Sequence, residues 1–402
     1  MSPAFTPFML RIILSAGALM ILLPAYSQSH SAPLTTISPA TIDKIAEKTA
    51  EKLLQKIKKP QRIAESINAK NKQNQSQPQA QTTDNLYAQS YRSGVKITRL
   101  GSGTIGGNYF VIGELLGGII SHPEGSLPCG QGGTCGVLNL QSQNVTSAGS
   151  IANLKALKAK RILTGLVQSD ISYWAFTGTG LYTNKDKFTG LRAIASLYAE
   201  AVHIVVRKDA NIRSVAEMVN KRVSVGARDS GTLLMTRLVL GAYQLTEDDI
   251  KPEYLNNQAS IEKLQKGQLD AMFFTVGPPA PAITTLFEKS KDYQILTIDA
   301  QAQKKIFDQG HYFSPYTIKA NTYKNVGDIN TISVYALWLC RADADEKLIY
   351  QFTKALWHKS ARQLLNSSFI GKQIDIDKSL DGIGIPLHPG AQKYYNEIGK
   401  RF

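Results

Sequence analysis

Residues 95–122 read VKITRLGSGTIGGNYFVIGELLGGIISH. Over Val95–Leu100 β-formers alternate with polar residues, the pattern of a short strand. Glycines follow at 101, 103, 106 and 107, and apolar residues then recur at Phe110, Ile112, Leu115, Leu116 and Ile119, a helical spacing. The chain therefore runs strand, glycine loop, helix. The first N–H groups of a helix lack intrahelical acceptors, and the helix dipole adds partial positive charge at that end. Such an end attracts anions, so a ligand carboxylate is expected in front of Gly106 and Gly107.

Gly101–Gly106 also spells G-x-G-x-x-G, which invites a dinucleotide-binding reading. That fingerprint needs an acidic residue about 20 residues on, at the end of a second strand. The nearby candidate, Glu124, lies in a Pro/Gly-rich loop. No Lys-Ser/Thr follows the glycines, so a P-loop is excluded. A tight turn that only packs a helix on a sheet is the plain alternative.

The same strand–loop–helix pattern repeats. Val137–Thr146 alternates as a strand, and Ser147, Gly149 and Ser150 open a helix, with Ser150 expected as its N-cap. Ile162–Val167 is a third strand, ending at Gln168-Ser169-Asp170. Repeats of this kind build an α/β lobe with a mostly parallel sheet, whose ligands gather at the strands' C-terminal ends. Leu191–Val206 is too long and apolar for an ordinary strand; it reads as a crossing between lobes, interrupted at Tyr198-Ala199-Glu200. A second α/β unit follows: strand Arg222–Gly226, a loop with Ser230, Gly231 and Thr232 opening a helix, strand Lys251–Leu255, helix Ser260–Lys266, strand Asp270–Phe274, and Gly277-Pro278-Pro279 starting another helix. Ile332–Cys340 suits a return crossing. Two lobes and two crossings make a cleft that grips a small anion from both sides.

The chain has 402 residues with 43% hydrophobic and 19% charged residues, a globular balance. Its formal net charge of +15 raises the question of nucleic acid. No DNA- or RNA-binding motif accompanies the charge, and none is expected as partner. Arg11, the apolar run Ile12–Ala25 and small residues at Ala25 and Ser27 form a secretory-signal pattern. The run is short against the about 20 residues of a bilayer span, so cleavage is favoured over a retained anchor. Ser38–Lys59 reads as an amphipathic helix and Asn68–Gln81 as a polar disordered linker. Cys129 and Cys135 flank GQGGT and fit a disulfide that stabilises by roughly 2 kcal/mol; a metal pair is the rival, but the spacing is not that of a zinc knuckle and no second Cys pair lies near. Cys340 is expected as a buried free thiol.

GSGTIGGNYFVIG, SAGSIANLKAL, GLVQSDISYWAF, LRAIASLYAEAVHIVVRKD, KRVSVGARDSGT, GQLDAMFFTVGPPAPAI and IPLHPGAQKYY occur in that order from about Val95 to the end. In these pieces the chain resembles the TAXI family of TRAP-transporter solute-binding proteins. The resemblance implies a bilobed periplasmic-binding-protein-like α/β fold (type II), with the ligand in the interlobe cleft. The signal peptide expected over 1–27 and the extension over 28–94 lie outside the resemblance, which implies a first lobe over 95–200 and 332–402 and a second over 201–331. It also implies a periplasmic monomer, without cofactor or metal, that hands a glutamate-like amino acid or dicarboxylate to TRAP membrane subunits. By motif position the ligand-facing residues are Thr104, Gly106, Gly107, Asn108 and Tyr109, then Ser147, Gly149 and Ser150, then Gln168 and Ser169, then Tyr198 and Val202, with Ser230, Gly231, Thr232 and Gly277 from the second lobe. In the place where relatives carry TGGS this chain has Ser147-Ala148-Gly149-Ser150, and the cysteine loop is an insertion; both bear on which ligand binds.

Two rival classes were weighed. S-x-x-K occurs at Ser93–Lys96 and Ser260–Lys263 without K-T-G or S-D-N partners, and neither G-x-S-x-G nor HExxH is present. No convergent acid/base set can be assembled, so no enzyme is expected. A receptor module signalling to a membrane sensor kinase shares every feature above. Arg207 and Arg228 are cationic candidates at the second lobe's cleft edge, with solvated surface as the alternative.

Overall fold

A computed structural model describes residues 94–402 except 184, 186 and 311. All of them fall in one compact unit, Gln81–Phe402. The expected signal, the helix at Ser38–Lys59 and the linker at Asn68–Gln81 lie outside the described residues. Among the described residues no helix is long and apolar enough to cross a membrane.

The fold is mixed α/β, with one ten-stranded sheet running through it. Strand β1 (Lys96–Gly101) leads through the glycine loop into helix α1 (Asn108–Ile120). Short β2 (Ser121–His122) and β3 (Val137–Leu138) pair with each other, and β4 (Leu140–Val145) lies parallel to β1. The expected strand at 137–146 is thus broken, because Asn139 takes a left-handed φ of 58°. Helix α2 (Ser150–Lys158), β5 (Thr164–Gln168) and α3 (Ser169–Thr177) complete one parallel half, β4-β1-β5.

The other half starts with β7 (Arg222–Ser224) and α4 (Gly231–Ala242). It continues through β8 (Lys251–Glu253), α5 (Asn257–Gln265) and β9 (Ala271–Val276), in parallel order β9-β7-β8. Then come α6 (Pro281–Lys289), β10 (Tyr293–Ile295), α7 (Ala300–Phe307) and β11 (Ser314–Ile318). α6 begins at Pro281 and not at Gly277. The stretch from β10 to β11 has too little periodicity for its elements to be read from sequence.

Two long strands join the halves: β6 (Leu191–Arg207), 17 residues, and β12 (Ile329–Arg341), 13 residues. They pair antiparallel from Leu191–Arg341 to Ala201–Ser333, with β5 on one flank and β9 on the other. Contrary to the sequence reading, β6 runs on through Tyr198-Ala199-Glu200 as one strand, and the irregularities in its pairing to β12 are bulges at Leu197 and Ile194. Gln168, the last residue of β5, faces Ala336, which faces Tyr198; Val276, the last of β9, faces Ala201. The C-terminal edges of both halves therefore meet over residues 198–201. Helices α8 (Glu346–Trp357), α9 (Lys359–Leu365) and α10 (Pro389–Glu397) follow β12. Phe352 of α8 stacks on fully buried Trp338 of β12, ring centroids 6.0 Å apart.

Cys129 and Cys135 are disulfide-bonded, and Cys340 is buried and free. The fold brings one histidine to the pair that sequence distance hid: His358 Nε2 lies 3.8 Å from Cys135 Sγ. Both sulfurs are consumed by the disulfide, which leaves no thiolate for a metal. Replacing both cysteines by serine is expected to lower stability by at most about 2 kcal/mol, the chain-entropy value for so short a ring. Chemical denaturation and calorimetry on the double variant check this.

Candidate functional site

Four helices begin at one cavity between the halves. It is lined by the starts of α1, α2, α4 and α5 and by the ends of β5 and β9, with Glu200 of β6 between them. The cavity has a volume of about 60 Å³ and a mouth that opens to solvent.

Local chemistry explains why each helix starts there. α1 is entered through Gly107 in extended conformation without a side-chain cap. Its first intrahelical bond runs from Val111 N to Gly107 O, so the N–H groups before it have no helical acceptor. α2 is entered through Gly149, with φ 124°, and has no side-chain cap. Ser150, expected as its cap, is instead its first helical residue, and its Oγ accepts the Gln168 N–H at 3.1 Å. α4 is capped by Ser230, whose Oγ accepts from Leu233 N at 3.2 Å. Thr232, another expected cap, instead accepts the Thr275 N–H on Oγ1 at 3.2 Å. α5 starts three residues before the expected Ser260 because Asn256 caps it, accepting from Ala259 N at 2.9 Å.

Of the residues expected to face ligand, Thr104, Gly107, Asn108, Tyr109, Gly149, Ser150, Gln168, Ser230, Gly231 and Thr232 border this cavity. The others stand outside its lining. Gly106 is an exposed turn residue at φ 85°. Ser147 Oγ donates to Ser102 O at 2.9 Å and accepts from Gly149 N, which shapes the loop. Ser169 Oγ accepts the Tyr335 N–H. Val202 is buried, and its carbonyl accepts from Thr331 Oγ1. Tyr198 borders a different cavity, together with Tyr316, Tyr335 and Lys372. Gly277 offers its carbonyl to Asn108 Nδ2 at 2.8 Å, a tie between the two halves.

Sequence reasoning missed Glu200, Asn256, Asn257 and the β9 end Phe274-Thr275-Val276, all of which line the cavity. The Asn pair carries an N-cap signal ahead of the expected helix. Glu200 stands as an acid inside an apolar run, which a buried strand tolerates only where the carboxyl has partners.

The polar groups form a network. Tyr109 OH donates to Glu200 Oε2 at 3.0 Å and lies 3.4 Å from Ser150 Oγ. Gln168 also hydrogen-bonds the Glu200 carboxyl. Burial pushes Glu200 up to about 8, against these two hydrogen bonds, and the neighbouring Asp170 carboxyl adds to the rise. Burial likewise raises Tyr109 well above the usual phenol range, with Glu200 and Tyr198 contributing, so Tyr109 stays a hydrogen-bond donor. Among the described residues no Lys, Arg or His borders the cavity. Arg207 pairs with Asp209, its Nε 2.9 Å from Oδ1, and the Arg228 guanidinium lies 3.9 Å from the Tyr254 ring centroid.

The two halves touch across the cavity. A Cβ on Gly231 of α4 would lie 1.9 Å from Gln168 Oε1 of β5. Ala152 N donates to Asp229 O at 3.2 Å, and Lys155 Nζ pairs with Asp229 at 2.7 Å. The Lys155 and Asp229 side chains are 58% and 46% exposed, so the ion pair is screened and worth less than about 1 kcal/mol. Lys155→Met is expected to weaken the affinity for any ligand held in this cavity by less than about fivefold, which calorimetry reads directly.

The family described as NMT1-like matches residues 100–399. Among solved structures the chain is similar to the periplasmic aliphatic sulphonate binding protein of Escherichia coli, with 14% identity over 75% of this chain and 78% of that one and a TM-score of 0.38. It is similar to PhnD1 of Prochlorococcus marinus in complex with methylphosphonate, with 14% identity over 76% and 99% of the two chains and a TM-score of 0.44. It is also similar to the GluR0 ligand-binding core of Nostoc punctiforme in complex with L-glutamate, with 14% identity over 68% and 99% and a TM-score of 0.39.

Proposed function

As this chain belongs to the NMT1-like family, we propose that it is an extracytoplasmic solute-binding protein that captures a small organic anion between its two halves. The observation that carries this reading is the convergence of four helix N-termini on a cavity where, among the described residues, no basic side chain stands. Each N-terminus presents unpaired N–H groups and about half a positive charge. A carboxylate can collect several such charge-assisted bonds, each worth about 1.5–3 kcal/mol before costs. Three or four sum to about 4.5–12 kcal/mol, a range that spans the about 8 kcal/mol of micromolar binding. Phe274, Val276 and the Tyr109 ring supply carbon surface beside them.

Delivery to TRAP-type membrane subunits is the finer reading, supported by the TAXI-like motifs from 101 to 395. The sensor-kinase alternative uses the same site. Co-purification with candidate membrane subunits separates the two, since only the permease should retain the solute-loaded protein and take up the solute. For the capture itself, a thermal-shift panel of small acids, sugars and polyamines is the test. Stabilisation by acids alone is expected; stabilisation by sugars or polyamines alone would remove the anion reading.

A further inference from the structure

We propose that Glu200 takes the ammonium group of the solute, so that the cargo is an amino-bearing acid and its capture expels a proton. This rests on the solute-binding reading and adds a second pole to the site. At one pole stand the helix N-termini, suited to a carboxylate. At the other stand acceptors with too few donors. Gln168 Oε1 and Thr275 Oγ1 are buried without a hydrogen-bond partner, and both residues line the cavity. Glu200, 3% exposed, is the acid among the lining residues. Buried polar atoms of this kind cost free energy unless partnered. An –NH₃⁺ group brings three donors and one positive charge, which suits a carboxylate and two neutral acceptors. A solute that carries carboxylates alone brings no donor to Gln168 Oε1 and Thr275 Oγ1, which then stay unpartnered.

The proton follows from the surroundings of Glu200. The titratable groups that act on it are Tyr109 from α1, Tyr198 from its own strand and Asp170 from α3; none of them is basic. With its carboxyl raised to about 8, Glu200 is protonated in the empty protein at neutral pH. An arriving ammonium stabilises the ionised form. The step is then R–NH₃⁺ plus Glu–COOH giving the R–NH₃⁺···⁻OOC–Glu pair, with the proton passing to solvent. Affinity therefore rises with pH, by up to about tenfold per unit between pH 6 and 7.5.

The test uses the full protein and paired probes: the standard L-amino acids, and succinate, glutarate and propionate as acids without an amine. Expected is an amino acid that binds at least about 100-fold more tightly than its amine-free counterpart. Calorimetry at pH 7 in buffers of different ionisation enthalpy should show close to one proton released. Glu200→Gln, isosteric with the protonated acid, should keep the fold, lose proton release and lose most of the affinity. Equal binding of glutarate and L-glutamate, binding confined to amine-free acids, or proton uptake would overturn the inference and leave anion capture standing. Unchanged affinity and proton release in Glu200→Gln would do the same. Binding by neither panel would overturn the inference together with the small-acid reading beneath it.

Discussion

Gly231→Val is expected to weaken solute binding by about 100-fold or more while the protein stays folded. A Cβ at this position would stand 1.9 Å from Gln168 Oε1 and 2.4 Å from its Cδ. Gly231 opens α4 in one half, and Gln168 ends β5 in the other. The collision therefore exists only while the halves are together. Two responses are open to the variant, and both reduce affinity. The halves can stand apart, which leaves the cavity unclosed, or Gln168 can swing away, which removes it from Glu200. Overpacking of this order costs about 1–3 kcal/mol, and loss of a buried polar contact adds about 1–3 kcal/mol; together they reach the two decades predicted. The position is the first turn of a helix capped by Ser230, so a β-branched residue is tolerated there on its own account. Calorimetry with the identified solute, beside a denaturation curve within about 1 kcal/mol of wild type, checks both halves of the claim. Near-wild-type affinity would show that the cavity does not need this close approach.

The second large effect concerns stability against pH in the empty protein. The folded-state value of Glu200, about 8, lies above the 4.5 of a free glutamate. The native protein then holds a proton that the unfolded chain releases. Its contribution is complete below pH 4.5 and is lost as pH rises to 8, an order of about 5 kcal/mol at full extent. Asp170, raised by burial to about 7 from 3.8, acts with the same sign. His203 acts oppositely. It is buried against Ala201 O at 3.0 Å and Tyr323 OH at 2.9 Å, and burial lowers it to about 4 from 6.5. Its contribution is present above pH 6.5 and lost as pH falls to 4, about 3 kcal/mol on the same scale. The stability difference between Glu200→Gln and wild type should therefore be flat below pH 4.5 and grow in favour of the variant up to pH 8. Denaturation series at several pH values measure it. A difference independent of pH would mean that Glu200 is ionised in the empty protein.

How much of this was legible in the sequence depends on which force wrote each feature. The glycine loop and α1 were readable because both signals are local: left-handed or close-packed backbone needs Gly, and Phe110, Ile112 and Leu116 repeat at helical spacing. The crossings β6 and β12 were readable as long apolar runs, since both of their faces are covered. The register was not. Only the pairing of Gln168 with Ala336 of β12, which in turn pairs with Tyr198, and of Val276 with Ala201 reveals that both parallel halves end over Glu200, and pairing between residues over 60 positions apart leaves no local trace. From sequence alone Glu200 therefore reads as part of an interruption, and the ligand-facing residues implied by motif position are its strand neighbours Tyr198 and Val202. Asn256 and Asn257 were missed because the helix start was placed at the first strong apolar repeat and not at its polar cap. Ser147 and Ser169 are expected to face the ligand by motif position alone, and tertiary contacts turn their hydroxyls to backbone partners instead.

A crystal structure of the protein with the solute it retains on purification tests the central claim most directly. The account predicts an acidic group between the halves, hydrogen-bonded to first-turn N–H groups of α1, α2, α4 or α5. A solute seated in the cavity beside Tyr316 and Tyr335, or one whose acidic group meets only Lys or Arg side chains, would contradict it.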